Sequence, residues 1–265
     1  MGERGAFSID LDRCIGCRAC VVACCTGNER PPGDAFIAVS EVVRRREDGL
    51  WGSFAHRRCF HCGEAACVEV CPTGALSRWK GLTAVAADRC SGCGYCVDAC
   101  PFHVPAVRDG LVSKCVGCVD QVREGEPPWC ERTCPSQAIR FGDRDALLAD
   151  ARSRVRQLSA RHPRAQVYGD AQLGGLGLLL VLLDRPDVYG LPERPEKPVL
   201  LDAWRSVVKP GSLGLTVAAG LTLGAAFLVA RRQRAREHEE EGSERAPSSA
   251  TPPPTRGGPE GGEHG

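Results

Sequence analysis

The amino-acid sequence predicts an α+β protein, with small mixed units built around cysteine groups in its first half and a single apolar helix near its C-terminus. Three observations lead there. All 17 cysteines lie between Cys14 and Cys134, and none occurs in the remaining half of the chain beyond Cys134. Around them run short period-two alternations, Phe7, Ile9 and Leu11, then Ile37, Val39 and Val43, with Glu47-Asp48-Gly49 reading as a turn. Finally, the segment Gly211 to Ala230 carries no charged residue.

With 265 residues and 43% hydrophobic content, the chain is long enough to bury a core without relying on disulfides. So many cysteines in so long a chain therefore need a chemical explanation. The net charge of +1 leaves no nucleic-acid footprint, and Arg44 to Arg46 reads as a solvated strand end. The first thirteen residues, MGERGAFSIDLDR, hold no apolar stretch of signal-peptide length.

In chain order, residues 1–142 form the cysteine-bearing domain and residues 143–209 an amphipathic helix and a connecting segment. In the latter, Asp143 is a plausible N-cap; Leu147, Leu148, Ala151, Val155 and Leu158 follow at helical spacing and end near His162-Pro163. Gly174 to Leu183, GGLGLLLVLL, is too short to span a bilayer and reads as a buried strand reached through a glycine turn. It lacks the third glycine and the helix of a dinucleotide fingerprint. Residues 210–231 read as a transmembrane helix. At about 1.5 Å per residue the uncharged run reaches roughly 30 Å, the thickness of a bilayer core. Pro210 fits its first turn, Trp204 and Lys209 precede it as interface anchors, and Arg231, Arg232, Arg234 and Arg236 close it. Gly220 and Gly224 offer a small face to another helix. The tail, 232–265, has the composition of a disordered segment. Near the span, five basic residues follow (Arg231, Arg232, Arg234, Arg236, Arg245) and three precede (Lys197, Arg205, Lys209), which leans toward a cytoplasmic tail and an exported cysteine domain.

The cysteines sort into four groups of four. Cys14, Cys17, Cys20 and Cys24 are spaced C-x2-C-x2-C-x3-C; Cys59, Cys62, Cys67 and Cys71 are followed by Pro72. Cys90, Cys93, Cys96 and Cys100 repeat the first spacing before Pro101, and Cys115, Cys118, Cys130 and Cys134 precede Pro135. Cys25 is left over. Two residues between cysteines let one tight loop aim successive thiolates at neighbouring irons of a cubane, while the fourth cysteine, beyond the loop, ligates the other cluster in two-cluster ferredoxins. The small residues Gly16, Ala19, Gly92 and Gly94 suit a backbone passing close to inorganic sulfide. Zinc takes paired ligands in a tetrahedron and has no use for three cysteines in tight series plus a distant fourth. An odd total fits disulfides badly. Cys25 reads as a small hydrophobe packed beside the first group, the alternative being that it replaces Cys24 as ligand.

These residues resemble the four-cluster electron-transfer subunits of molybdopterin oxidoreductases, and among them most the β subunit of membrane-bound respiratory formate dehydrogenase. The resemblance runs through DRCIGCRACVVAC, CFHCGEAACVEVCPTGAL, CSGCGYCVDACPFHVP and KCVGCVDQVREGEPPWCERTCPSQAIRFG. It continues into DRPDVYGLPERP and the approach to one C-terminal transmembrane helix, covering about residues 7 to 232. It implies two ferredoxin-like cluster-pair units related by a pseudo-twofold, and four 4Fe-4S clusters. Their implied ligands are Cys14, Cys17, Cys20 and Cys134; Cys115, Cys118, Cys130 and Cys24; Cys59, Cys62, Cys67 and Cys100; and Cys90, Cys93, Cys96 and Cys71. It also implies a molybdopterin-bearing catalytic partner, a membrane cytochrome b, and export of the folded domain with a partner that carries a twin-arginine signal. Cys25 and the long polar tail depart from the family pattern.

With no catalytic constellation in the chain, substrate chemistry is expected in the partner and electron relay here. Arg18, Arg58, Arg89, Lys114 and Arg132 flank ligands and could raise the potentials of anionic clusters; each is individually expected to be a solvated or ion-paired surface charge. His61 and His103 are expected to pack beside the ligands without ligating. The rival readings are the iron-sulfur subunit of a membrane-bound hydrogenase or another molybdoenzyme, and, from another class, a membrane-anchored zinc scaffold.

Overall fold

The computed structural model describes residues 4–47, 49–198, 219–232 and 234. The chain divides into two units, Met1–Asp202 and Ala203–Gly265. In the first, β1 (Gly5–Asp10) pairs antiparallel with β8 (Ile139–Asp143) and parallel with β10 (Leu178–Leu182). β9 (Gln166–Tyr168) pairs antiparallel with β10 and completes the order β8-β1-β10-β9.

Side chains alternate across this sheet as the pleat requires. Ala6 and Leu179 meet Leu147 and Leu148 of the long helix α6 (Arg144–Leu158), and Val181 and Leu183 meet its Ala151 and Leu158. Phe7, Ile9, Leu178, Leu180 and Leu182 face the other way, into the core shared with Cys20, Cys24 and Cys130. A strand covered on both faces has no polar side, which is why β10 reads as an unbroken apolar run. Replacing Leu180, 1% exposed, by alanine is expected to cost about 2–5 kcal/mol, read as a lowered thermal unfolding midpoint.

The helix starts where expected: the Asp143 side chain accepts hydrogen bonds from the amides of Asp145 and Ala146. Residue 142, however, is no break in the core. α6 covers a face of β1 that would otherwise be wet, and β10 supplies the parallel neighbour of β1, so this part of the expected connecting segment is integral to the cysteine-bearing unit.

Between β1 and β8 the chain repeats one plan twice. β2 (Ala38–Arg46) and β3 (Gly49–Arg57) form a hairpin that ends two residues before Cys59. β6 (Ala106–Arg108) and β7 (Leu111–Ser113) form a shorter one that ends two residues before Cys115. β4 (Leu76–Trp79) pairs antiparallel with β5 (Leu82–Val85) at the junction of the halves, as β8 pairs with β1 where they close.

Four short helices carry the outlying cysteines and a fifth follows one. α1 (Ala19–Gly27) holds Cys20 and Cys24, α2 (Ala66–Glu69) holds Cys67, α3 (Tyr95–Asp98) holds Cys96, and α5 (Trp129–Arg132) holds Cys130; α4 (Val119–Arg123) follows Cys118.

In the second unit, residues 219–232 are helical, with Leu221, Leu223, Phe227, Leu228 and Val229 exposed. Among the described residues no helix is long and apolar enough to cross a membrane. Residues 199–218, which include the start of the expected span, and nearly all of the tail lie outside the described residues.

Candidate metal centres

Strand register explains how distant cysteines meet. Ile9 lies opposite Ile139, so Cys14 and Cys134, each five residues beyond that pair, leave the same end of the β1–β8 ladder. Leu76 lies opposite Val85, and Cys71 and Cys90 are again each five residues beyond. The helices do the rest. The third and fourth cysteines of every group are four residues apart, about 6 Å of helical rise, so one short helix reaches two neighbouring sites.

Four groups of thiols result. Cys14, Cys17, Cys20 and Cys134 line one hollow, site A. Cys24, Cys115, Cys118 and Cys130 line a second, site B. Cys71, Cys90, Cys93 and Cys96 line another, site D. Site C is the set Cys59, Cys62, Cys67 and Cys100, close enough that Cys62 senses the charge of the other three. The fold thus brings the sixteen cysteines singled out by their spacing together in four sets of four.

The sites follow one another in a line. Cys20 of site A neighbours Cys130 of site B, Cys115 of B neighbours Cys59 of C, and Cys67 of C neighbours Cys96 of D. Both ends are open, with Cys17 and Cys93 exposed, whereas Cys24, Cys115, Cys130 and Cys59 in the middle are buried.

Each C-x2-C loop turns on a left-handed residue two positions after its first cysteine: Gly16, Gly92, Gly117 and, in the second group, His61. At Gly92 a Cβ would lie 2.4 Å from the carbonyl oxygen of Gly110, so the close approach as well as the positive φ demands glycine.

The surroundings fit a buried anionic cluster. Backbone amides donate to thiol sulfurs at Ala138–Cys134 (3.2 Å), His61–Cys59 (3.4 Å) and Val112–Cys90 (3.4 Å). Arg58 Nη1 and Nη2 donate to Cys130 and Cys115 Sγ at 3.4 and 3.3 Å. Arg58 Nε and Trp129 Nε1, on residues lining site B, are buried without an acceptor among the described residues. Orphaned donors around a ring of thiols are what inorganic sulfide would satisfy. Among the described residues no three His, Cys, Asp or Glu side chains converge as ligands of one ion would. Sets that join a close series of cysteines to one from a distant segment suit a polynuclear cluster better than the paired ligands of a tetrahedral zinc. All 17 cysteines are unpaired thiols.

Burial, and then the charge of neighbouring thiolates, pushes the thiols of Cys20 and Cys24 up to about 12. Iron must therefore displace protons to bind them.

Two expectations need correction. Arg58 and Lys114, which follow β3 and β7, are not surface charges but 1% and 2% exposed; inside, Arg58 donates to Cys115 and Cys130 sulfurs and Lys114 to the Thr83 and Cys115 carbonyls. Arg18, Arg89 and Arg132 are exposed as expected. His103 is exposed instead of packed, because it occupies a positive-φ turn at the surface. His61 is fully buried, stacked on Phe7, and its Nδ1 accepts from the Thr83 amide at 3.0 Å. His56, which no motif singles out, brings Nε2 to 3.3 Å from Cys14 Sγ; nothing in the period-two strand pattern distinguishes it from any inward residue of β3. Cys25 is buried and its thiol donates to the Pro31 carbonyl at 3.6 Å, outside all four sets, while Cys24 lines site B. Replacing Cys25 by alanine is expected to leave the iron content of the purified protein unchanged.

The sequence is similar to those of known iron-sulfur proteins. Residues 13–75 and 51–144 match two families each described as a 4Fe-4S dicluster domain. The chain is 36% identical over 248 residues to the formate dehydrogenase iron-sulfur subunit of Haemophilus influenzae, covering 82% of this chain and 80% of the relative. It is 35% identical over 232 residues to the formate dehydrogenase-O iron-sulfur subunit of Escherichia coli, covering 78% and 77%. The B component of anaerobic dimethyl sulfoxide reductase of Escherichia coli is 38% identical over 158 residues, 56% of this chain and 77% of the relative. With two dicluster domains, four thiol sets and this extent of likeness, the chain belongs to the family of formate dehydrogenase iron-sulfur subunits.

Proposed function

We propose that the chain relays electrons, one at a time, through four 4Fe-4S clusters at sites A to D, from a molybdopterin-bearing formate dehydrogenase subunit toward a membrane cytochrome b and quinone. The observation that carries this reading is the single file of four thiol sets, open at both ends and buried between. Bound there, the clusters supply one-electron acceptor sites whose potentials respond to hydrogen bonds, burial and nearby charge. The chain's own residues do the rest: sixteen cysteines hold the irons, amides of His61, Val112 and Ala138 donate to ligand sulfurs, and β10 with Phe7 and Ile9 keeps water from the inner sites. Oxidation of formate releases carbon dioxide, one proton and two electrons, so two single-electron passages clear each turnover.

Longer coverage by formate dehydrogenase relatives than by the dimethyl sulfoxide reductase component favours formate as donor over another molybdoenzyme substrate. Purifying the intact complex anaerobically tests it. About four irons per site, a molybdopterin partner and formate-driven bleaching are expected; a nickel-bearing partner or a colourless zinc protein would overturn it.

Residues 210–231 are proposed to anchor the chain by a single pass through the inner membrane, with the cysteine unit on the periplasmic side. The absence of charge from Gly211 to Ala230 and the helical state of 219–232 support this. Protease added to spheroplasts should digest the cysteine unit; complete protection would place it in the cytoplasm.

A further inference from the structure

Every cysteine group is immediately preceded by a cation: Arg13, Arg58, Arg89 and Lys114. Those beside the outer sites, Arg13 and Arg89, are exposed, and those beside the inner sites are buried. Burying an ammonium or guanidinium is costly unless charge compensates it. Yet among the described residues neither Arg58 nor Lys114 has an ion pair with a carboxylate. Arg58 donates to the sulfurs of Cys115 and Cys130 and lies 4.1 Å over the Phe7 ring; Lys114 Nζ donates to the carbonyls of Thr83 and Cys115 at 2.8 and 2.9 Å.

The two are crossed. Arg58 precedes Cys59, a ligand of site C, but its guanidinium grips two ligands of site B. Lys114 precedes Cys115, a ligand of site B, but its Nζ also sits on the carbonyl of Thr83, whose amide donates to His61 inside the Cys59–Cys62 loop of site C, and its charge favours the thiolates of Cys59 and Cys67. The two occupy equivalent places in the repeated plan: the hairpins β2–β3 and β6–β7 each end two residues before the first cysteine of a group, and the intervening residue is the buried cation.

We infer that Arg58 and Lys114 are potential-setting residues, a crossed pair of fixed positive charges in which each raises the reduction potential of the inner cluster ligated from the other half. This deepens the four-cluster reading and rests on it. A cluster gains negative charge on reduction, and in a dry interior that charge is disfavoured. Buried thiolate clusters in mid-wire would therefore resist reduction more than the exposed ends. A cation within hydrogen-bond distance of two ligand sulfurs offsets this at site B, and at site C the ammonium of Lys114, fixed on the Thr83 carbonyl, does so by its charge alone. Because both are shielded from solvent, their effect is insensitive to salt.

The test is a redox titration of the intact complex followed by electron paramagnetic resonance, with each signal assigned by a cysteine-to-serine change at its site. In Arg58→Met the oxidised-to-reduced ratio of the site B cluster at fixed ambient potential is expected to rise at least tenfold, equivalent to about 59 mV for one electron. In Lys114→Met the larger shift falls on site C. Unchanged midpoints with iron retained overturn the inference, and so does an Arg58→Met shift that falls mainly on site C. Arg58→Lys covers the case in which methionine variants lose their clusters. It keeps the charge but not the two-pronged contact, so a ratio within threefold of the parent supports a charge effect, whereas a tenfold or greater rise overturns it. Wild-type protein lacking the four signals would sink the four-cluster reading itself, a result distinct from normal signals with unmoved potentials.

Discussion

Replacing Cys130 by serine is expected to lower formate-to-quinone electron transfer by at least about tenfold while leaving formate oxidation by an artificial acceptor at the catalytic partner intact. Cys130 is buried on α5, lines site B, and accepts from Arg58 Nη1. Serine is a poorer iron ligand, and it removes the sulfur that balances part of a buried guanidinium. Site B stands between A and C in the order set by the Cys20–Cys130 and Cys59–Cys115 neighbours, so electrons passing from A to C are expected to cross it. The comparison that isolates the effect pairs quinone reduction with dye reduction on the same preparation. Retained quinone reduction with the site B signal missing would show that the wire is not linear.

The second large effect concerns iron removal. Chelation under reducing conditions is expected to abolish the cooperative thermal transition of the cysteine unit, read by calorimetry or near-ultraviolet dichroism. Each site gathers chain segments far apart in sequence, Cys14 with Cys134 and Cys24 with Cys115 among them, so iron held there as proposed would do the cross-linking that disulfides do elsewhere. A second penalty falls on the apo state. Burial first, and then neighbouring thiolates, raise the thiols of Cys20 and Cys24 to about 12 and that of Cys118 to about 11, so without iron they are protonated near neutral pH. Arg58 and Lys114 then stand buried against neutral groups, at a cost of several kcal/mol each. The sheet with α6 keeps its own core through Leu147, Leu148, Leu179 and Ala6, so residual far-ultraviolet signal should survive. An unchanged transition after complete iron loss would mean that packing alone holds the sites open.

The cysteine groups, the N-cap of α6 and the apolar β10 were all legible in the linear chain, because each is local. Spacing of two residues dictates a tight loop, Asp143 answers the open amides that follow it, and an unbroken leucine run needs cover on both faces. Which fourth cysteine completes which site is not local. Resemblance supplied that partition, and the β1–β8 and β4–β5 registers give its physical cause. The choice between Cys24 and Cys25 was likewise left to packing, which turned Cys25 toward Pro31.

The chain's own residues therefore determined that sixteen thiols would gather in fours and that a long uncharged stretch follows them, since spacing and polarity act over a few residues. The tertiary structure alone decided the single file of sites, the depth of the inner pair and the inward turn of Arg58 and Lys114. A residue next to a ligand reads the same in the linear chain whether it ends in water, as Arg13 and Arg89 do, or buried, as Arg58 and Lys114 are, and only the packing of the folded chain settles which.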